Sequence, residues 1–130
     1  MTEPPVSLMA EAITRNECLE LLEAASLARV VISVKCLPVA LPARFSLMEG
    51  TFIMLASTDP SVILAAQRFD VLTLQIDGLD ANGLTWSVMV SGIAKIASGN
   101  VQLSPVLDDA VARGATLVAL PLSVVIGQRG

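Results

Sequence analysis

The sequence predicts a mainly β protein with a few short helices, in which an antiparallel sheet closes on itself as a barrel. Two patterns support this prediction. Apolar residues recur at every second position in segments separated by short turn sequences, as expected of antiparallel strands with one buried face. The helical segments are few and short, so the regular alternation of strands and crossover helices typical of a parallel sheet is missing. Closure would protect the edges of so apolar a sheet.

Capping residues mark the starts of three helices. The clearest helix is "TRNECLELLEAAS", which begins with a capping box at Thr14 and continues with an apolar stripe of helical period. A second helix is expected to reach about Arg68, and a third to end at Gly114. Both shorter helices open with a capping residue followed by proline, namely Thr58 or Asp59 before Pro60, and Ser104 before Pro105.

Six strands are predicted between and after these helices. In order they are "LARVVISV", "LPVALPARFSL", "TFIMLA", "VLTLQID", "TWSVMVSGIAKIA" and "TLVALPLSVVIG". The second of them carries Pro38 and Pro42 on the face opposite its apolar residues. Because proline cannot donate to a strand ladder, this strand is expected to lie at an edge or to have an interrupted ladder.

The composition predicts one cytoplasmic domain that buries surface against a second copy. The chain has 130 residues, of which 54% are hydrophobic and 15% charged, with a mean hydropathy of +0.73. No apolar run reaches the ~18 residues of a membrane span, and the acidic N-terminus does not resemble a signal peptide. Residues 1–12 are expected to form a loose segment before a single domain. A small chain that is this apolar is expected to bury part of its surface in a homodimer.

Several classes of function are disfavoured by what the sequence contains. The net charge of −4 and the scarcity of aromatic residues argue against nucleic acid as a partner. With no histidine, the usual general base and the usual zinc ligand are missing, which weakens hydrolase interpretations. The two cysteines, Cys18 on a helix face and Cys36 in a turn, make no disulfide framework. The acidic residues show no metal-ligand spacing, and no catalytic residue is assigned.

The order of these elements resembles a known family. "NECLELLEAASLARVVISVKCLPVALPARFSL", "FIMLAS…SVILAA", "VLTLQID" and "TWSVMVSGIAKI" together are similar to the pyridoxamine 5′-phosphate oxidase-like, FMN-binding split-barrel proteins, over about residues 13–100. This resemblance implies a six-stranded antiparallel split β-barrel. It also implies a homodimer that holds FMN in two clefts at its interface, although a deazaflavin is an alternative cofactor.

The resemblance also implies where FMN would be bound. The candidate cofactor-binding residues are Arg44, Phe45, Ser57, Thr58, Ser61 and Trp86. In relatives, two basic residues bind the FMN phosphate, but the matching positions here are Ala56 and Val62. A lysine restored at position 62 is therefore expected to tighten FMN binding. Arg44, or less directly Arg68, is the candidate substitute, and Trp86 is either a packing residue or a wall beside the flavin ring.

Three functions therefore remain open from the sequence, the third being a small structural or interaction module with no ligand. The first is a flavin-binding protein that could serve as an oxidoreductase of unassigned substrate, in which the flavin does the electron chemistry. The second is a non-catalytic, cofactor-free dimer that has kept the barrel and lost the phosphate clamp. The segment "STDPSVILAAQ" is accordingly either a phosphate-binding helix start without cations or a plain helix cap.

Overall fold

The computed structural model of this chain describes residues 11–99 and 101–130. Over those residues the backbone forms nine strands and three helices. The strands are β1 (Glu11–Ile13), β2 (Leu27–Val34), β3 (Leu37–Met48), β4 (Phe52–Ser57), β5 (Val71–Leu79), β6 (Thr85–Ile93), β7 (Lys95–Ile96), β8 (Thr116–Pro121) and β9 (Val124–Arg129). The helices are α1 (Arg15–Ala24), α2 (Pro60–Gln67) and α3 (Pro105–Ala112).

All strand pairs are antiparallel, and the order in the sheet is β1-β9-β6-β5-β2-β3-β4-β8-β7. The predicted mainly β, antiparallel fold is confirmed, but the predicted count of six strands is wrong. Besides β1, two extra strands arise because two predicted strands each divide. Segment 85–97 divides at Ala94, whose N–H donates to the Asp70 carbonyl (2.9 Å). Segment 116–127 divides after Pro121, and β8 and β9 then pair with different neighbours.

The predicted closure of the sheet is also wrong. Strands β1 and β7 stand at the two ends of the order, and each has one neighbour. These end strands have only three and two residues, so each edge exposes few unpaired backbone groups. The segment predicted to be loose, residues 1–12, lies mostly outside the described residues. Its last two, Glu11 and Ala12, pair with Arg129 and Gln128 of β9.

Strand β3 changes its surroundings halfway along its length. Its first part, residues 37–43, pairs with β2 alone, Arg44 pairs with both β2 and β4, and residues 45–48 pair with β4 alone. Both prolines, Pro38 and Pro42, are exposed and belong to the first part. Of the two predicted alternatives, the first part of β3 is therefore an edge, and its ladder with β2 continues across both prolines.

The main core lies between the inner face of the sheet and helices α1 and α2. Its fully buried large side chains include Phe45, Leu55, Leu72, Leu74 and Leu120. Helix α1 contributes Cys18 and Leu22, and helix α2 contributes Val62, Ala65 and Ala66.

A second, smaller core lies on the opposite face of the sheet, beneath α3. It contains Met54 and Ala56 of β4 with Leu107 and Ala110 of α3. The helix begins as predicted, with Ser104 as its N-cap, whose Oγ accepts from the Leu107 N–H (3.4 Å). Helix α3 therefore covers the outer face of β4 and the adjoining end of β3.

The two cysteines differ in exposure, which gives a direct test of the fold. Burial raises the pKa of the Cys18 thiol, and the neighbouring Glu17 carboxylate raises it further, whereas Cys36 is exposed in the β2–β3 turn. We expect one thiol per chain to react with Ellman's reagent in the native protein and two in denaturant. Cys36→Ser should leave no fast-reacting thiol, and rapid native labelling of Cys18 in that variant would contradict the packing of α1.

Neither a membrane span nor a metal cluster is found among the described residues. None of their three helices combines the length and hydropathy needed to cross a bilayer. Within the same ranges, no group of three or more His, Cys, Asp or Glu side chains is arranged to hold a metal ion.

Candidate functional site

The six candidate residues fall into two separate regions of the sheet. Five of them lie along β3, β4 and the start of α2, and the sixth, Trp86, lies at the start of β6. Three strands, β5, β2 and β3, separate β6 from β4 in the sheet order. In the sheet order Trp86 is therefore not adjacent to the other five, although its ring packs against the same main core as Phe45.

Arg44 is already engaged in an ion pair within the chain. It pairs across the sheet with Ala56, and its Nη1 donates to Oδ2 of Asp109 on α3 (2.5 Å). Arg113 donates to the same carboxylate oxygen from its Nε (2.9 Å). Hydrogen bonds from both arginines lower the pKa of Asp109, so the carboxylate stays ionised and neutralises charge beside Arg44.

The two positions where relatives carry basic residues face the protein interior. Ala56 is 5% exposed and lies beneath α3, and Val62 is 0% exposed in the main core. Phe45 is likewise 0% exposed, so its side chain packs in the core and has no surface for a ligand. Neither Ala56 nor Val62 therefore lines a cleft in this structure.

The start of α2 forms a closed set of caps. The Asp59 N–H donates to Oγ of the buried Ser57 (3.0 Å), and the Ser61 N–H donates to Oδ1 of Asp59 (2.8 Å). Asp59 is thus the N-cap, and Thr58 is exposed beside it. A carboxylate already occupies the helix start and repels an incoming phosphate, so the local geometry is that of a cap.

These observations test whether the residues of β3, β4 and the start of α2 fit an FMN phosphate. The structure places Arg44 against Asp109, apolar side chains at Ala56 and Val62, and a carboxylate at the helix start. A dianionic phosphate requires cations or free N–H donors at such a position. The residues in this region do not fit a phosphate group.

Trp86 lies in a different environment, at one end of β5 and β6. Its ring lies against the backbone of Gly78, where an added methyl group would meet ring carbon Cζ2 at 2.8 Å. This residue is half-buried and lines a groove of about 530 Å³, here called the Trp86 groove. Polar side chains at the groove include Gln75, Asp77, Ser87 and Gln128. They lie on the face of the sheet opposite the Trp86 ring, which packs against the main core, because successive residues of a strand point to opposite faces.

An uncharged apolar surface lies on the outer face of the same strands. It consists of Val71, Met89, Ile93, Val124 and Ile126, here called the outer patch. The register pairs Val71 with Ile93 and Met89 with Ile126, so the five side chains are neighbours across β5, β6 and β9. One apolar face was predicted for these strands, whereas their outer face carries this exposed apolar patch as well. Apolar residues at the odd-numbered positions of β6 and the even-numbered positions of β9 were the available signal.

A further groove, which the sequence analysis did not identify, lies beside α2. It has a volume of about 680 Å³ and is here called the α2 groove. Ser61 faces it, together with Leu64, Ala65 and Arg68 on one side of the helix. Lys35, from the β2–β3 turn, lines it from the opposite side.

Comparisons with known proteins identify the fold. The chain is similar to an FAD-binding protein from Mycobacterium smegmatis (20% identity, TM-score 0.69, covering 93% of this chain and 98% of that one). It is also similar to an FAD-binding protein from Mesorhizobium loti (15% identity, TM-score 0.73, coverage 92% and 96%). A third similar structure is the FAD and heme binding protein from Mycobacterium smegmatis (14% identity, TM-score 0.68, coverage 90% and 71%).

These likenesses confirm the split-barrel fold predicted from the sequence. No protein of curated function matches the sequence significantly. A family model described as pyridoxamine 5′-phosphate oxidase matches residues 14–103, which is more than half of the chain. The chain therefore belongs to the pyridoxamine 5′-phosphate oxidase family.

Proposed function

We propose that this protein binds a flavin in clefts at a homodimer interface, and that it holds the flavin by its ring system and ribityl chain with little help from the phosphate. Membership of the family and similarity to structures described as FAD-binding support a flavin. Bound flavin would supply the electron chemistry of an oxidoreductase, FMN being the form that the resemblance implies.

One observation carries the proposal of a shared cleft. The candidate residues on β3 and β4 are separated from Trp86 by intervening strands, and the outer patch lies on the same sheet. An uncharged patch suits an isologous contact, in which the same surface of both copies meets itself. A second copy seated on the outer patch would place its Trp86 groove opposite the β3–β4 region.

The chain's own residues have defined tasks in this proposal. Ser87 and Gln128 provide donors and acceptors for the polar edge of the flavin ring, and Trp86 packs against the main core on the opposite face of β6. The apolar surround excludes water from the ring. Arg44 stays paired with Asp109 and therefore adds little attraction for a phosphate.

A comparison of flavins tests the proposal. We expect riboflavin to bind within about threefold of FMN, because no charge-assisted bond to the phosphate is lost; a two-cation clamp would favour FMN by about 100-fold or more. Quenching of flavin fluorescence on titration with protein gives both dissociation constants. Arg44→Ala should change the FMN constant by less than about twofold, since Asp109 already takes up its charge.

Two other outcomes would contradict this proposal in different ways. FMN binding that is about tenfold tighter than riboflavin binding, with the difference lost in Arg44→Ala, would show that Arg44 leaves Asp109 to hold the phosphate. Failure of riboflavin, FMN and FAD alike to bind would favour the cofactor-free dimer. That second function is supported by the same three features: the Arg44–Asp109 pair, the buried Ala56 and Val62, and the Asp59 cap.

A further inference from the structure

We propose that the α2 groove is a separate binding site for a small organic phosphate, held by Lys35 and Arg68. This inference goes beyond the proposed flavin site: the α2 groove shares no lining residue with the Trp86 groove, and of the residues that the sequence suggested for FMN it contains Ser61 and Arg68.

The shape of the groove is that of a small-molecule site. Its volume of about 680 Å³ lies within the range of about 300–1,000 Å³ typical of ligand pockets. Four elements build it: the end of β2, the start of β3 at Pro38, the start of β5 and one face of α2. Val34, Leu64 and Leu72 give it apolar walls, while Ser33, Ser61 and Thr73 add hydroxyl groups. Such a lining suits a ligand with an apolar body and a polar end.

The distribution of positive charge singles out this groove. Of the eight Lys and Arg residues, all within the described ranges, four are in ion pairs: Arg29, Arg44, Arg113 and Arg129. The other four have no ion pair in the described part of the chain: Arg15, Lys35, Arg68 and Lys95. Two of these four line the α2 groove, where Asp70 is the one acidic residue.

This placement of charge predicts an anionic ligand. The chain as a whole has a net charge of −4, yet the charged side chains of the groove sum to +1. Lys35 and Arg68 belong to different elements, the β2–β3 turn and the residue that caps the C-terminus of α2. A phosphate dianion between them would receive a charge-assisted hydrogen bond from each.

The backbone supports the same interpretation. Four non-glycine residues in the described ranges have a positive φ, and three of them adjoin this groove: Lys35 (51°), Cys36 (67°) and Phe69 (58°). Side chains with a Cβ rarely adopt this conformation, and turns of this kind usually carry Asn or Gly. Such backbone positions cluster at ligand sites, where the surrounding structure holds them in place. Here the positive-φ turn at Lys35 and Cys36 holds Lys35 at one side of the groove, and Phe69 follows Arg68 at the other side.

Adenosine 5′-monophosphate is a suitable probe, since it joins a phosphate to a compact ring system. We expect it to bind in isothermal titration calorimetry, and adenosine to bind at least about tenfold more weakly. Lys35→Asn, which tolerates a positive φ, and Arg68→Gln should each weaken binding by about tenfold. Arg15→Gln is the matched control. It removes another exposed cation that has no ion pair in the described part of the chain and that does not line the α2 groove, so it should leave the affinity for the probe unchanged.

Competition with riboflavin tests whether the α2 groove and the flavin site are separate sites. Saturating riboflavin should leave the affinity for adenosine 5′-monophosphate unchanged, and Lys35→Asn should leave riboflavin binding unchanged.

If the variants lose their far-ultraviolet circular dichroism signal, Ser61→Glu gives a second test, because it adds a negative charge within the groove and should weaken binding of the probe. The proposal is overturned if the wild-type protein does not bind the probe at millimolar concentration. It is equally overturned if Arg15→Gln weakens binding as much as Arg68→Gln does, or if riboflavin displaces the probe.

Discussion

The Val62→Lys variant is expected to lose about 4–5 kcal/mol of its free energy of unfolding at pH 7, a large share of the about 5–15 kcal/mol typical of a folded protein. Val62 is 0% exposed and lies in the main core with Ala65 and Ala66 of the same helix. A lysine there must be neutral when folded, and keeping it neutral at pH 7 opposes its ordinary pKa of about 10.4. The expectation that this substitution tightens FMN binding is therefore replaced by one of lost stability.

The pH dependence of the variant identifies the buried charge as the cause. Burial lowers the pKa of a lysine in the folded state below its unfolded value, so the unfolded chain binds more protons. The free energy of unfolding of Val62→Lys should therefore rise as the pH is raised from about 7 toward about 10, relative to wild type. Urea titrations at several pH values measure it. Val62→Met, which has no charge, should show no such rise.

Leu64→Lys provides the matched control on the same helix. Leu64 is 43% exposed, so a lysine there keeps its charge in water, and we expect a loss of less than about 1 kcal/mol. A Val62→Lys variant as stable as Leu64→Lys, with tighter FMN binding, would place residue 62 at a cleft and contradict the orientation of α2 described here.

The orientation of α2 illustrates where sequence reasoning stops. The caps and Pro60 predicted the helix start correctly, since they act through local backbone geometry. The segment "SVILAA" is apolar at consecutive positions, so its period does not tell which side faces the core. An alignment of motifs fixed the order of residues along the helix but not the direction of the Val62 side chain. That direction depends on packing against strands distant in sequence.

The strands show the same division between local and long-range information. Alternation predicted most strand positions, and Pro38 and Pro42 mark the part of β3 that pairs on one side only, as the edge alternative predicted. The change of neighbours between β8 and β9, and the placement of α3 over β4, join residues far apart in sequence. The Arg44–Asp109 pair spans 65 residues and depends on that placement. No local pattern indicated that Arg44 would be engaged there.

The Ile126→Lys variant is expected to convert the proposed dimer to monomers, raising the dissociation constant by at least about 100-fold. Ile126 lies directly opposite Met89 within the outer patch, which has no charged residue. Removing an ammonium group from water without a partner costs about 3–5 kcal/mol, and in an isologous contact the substitution occurs twice. Sedimentation velocity at micromolar concentration measures the change.

Leu84→Lys is a closely matched control, because Leu84 and Ile126 are both 49% exposed. Leu84 lies in the turn between β5 and β6, outside the outer patch, so its variant should remain dimeric. Flavin affinity should fall with dimer content in Ile126→Lys and stay unchanged in Leu84→Lys, since the proposed cleft needs residues from both copies. A wild-type protein that sediments as a monomer would contradict the dimer. Flavin binding that survives in a monomeric Ile126→Lys would instead place the flavin within one protomer.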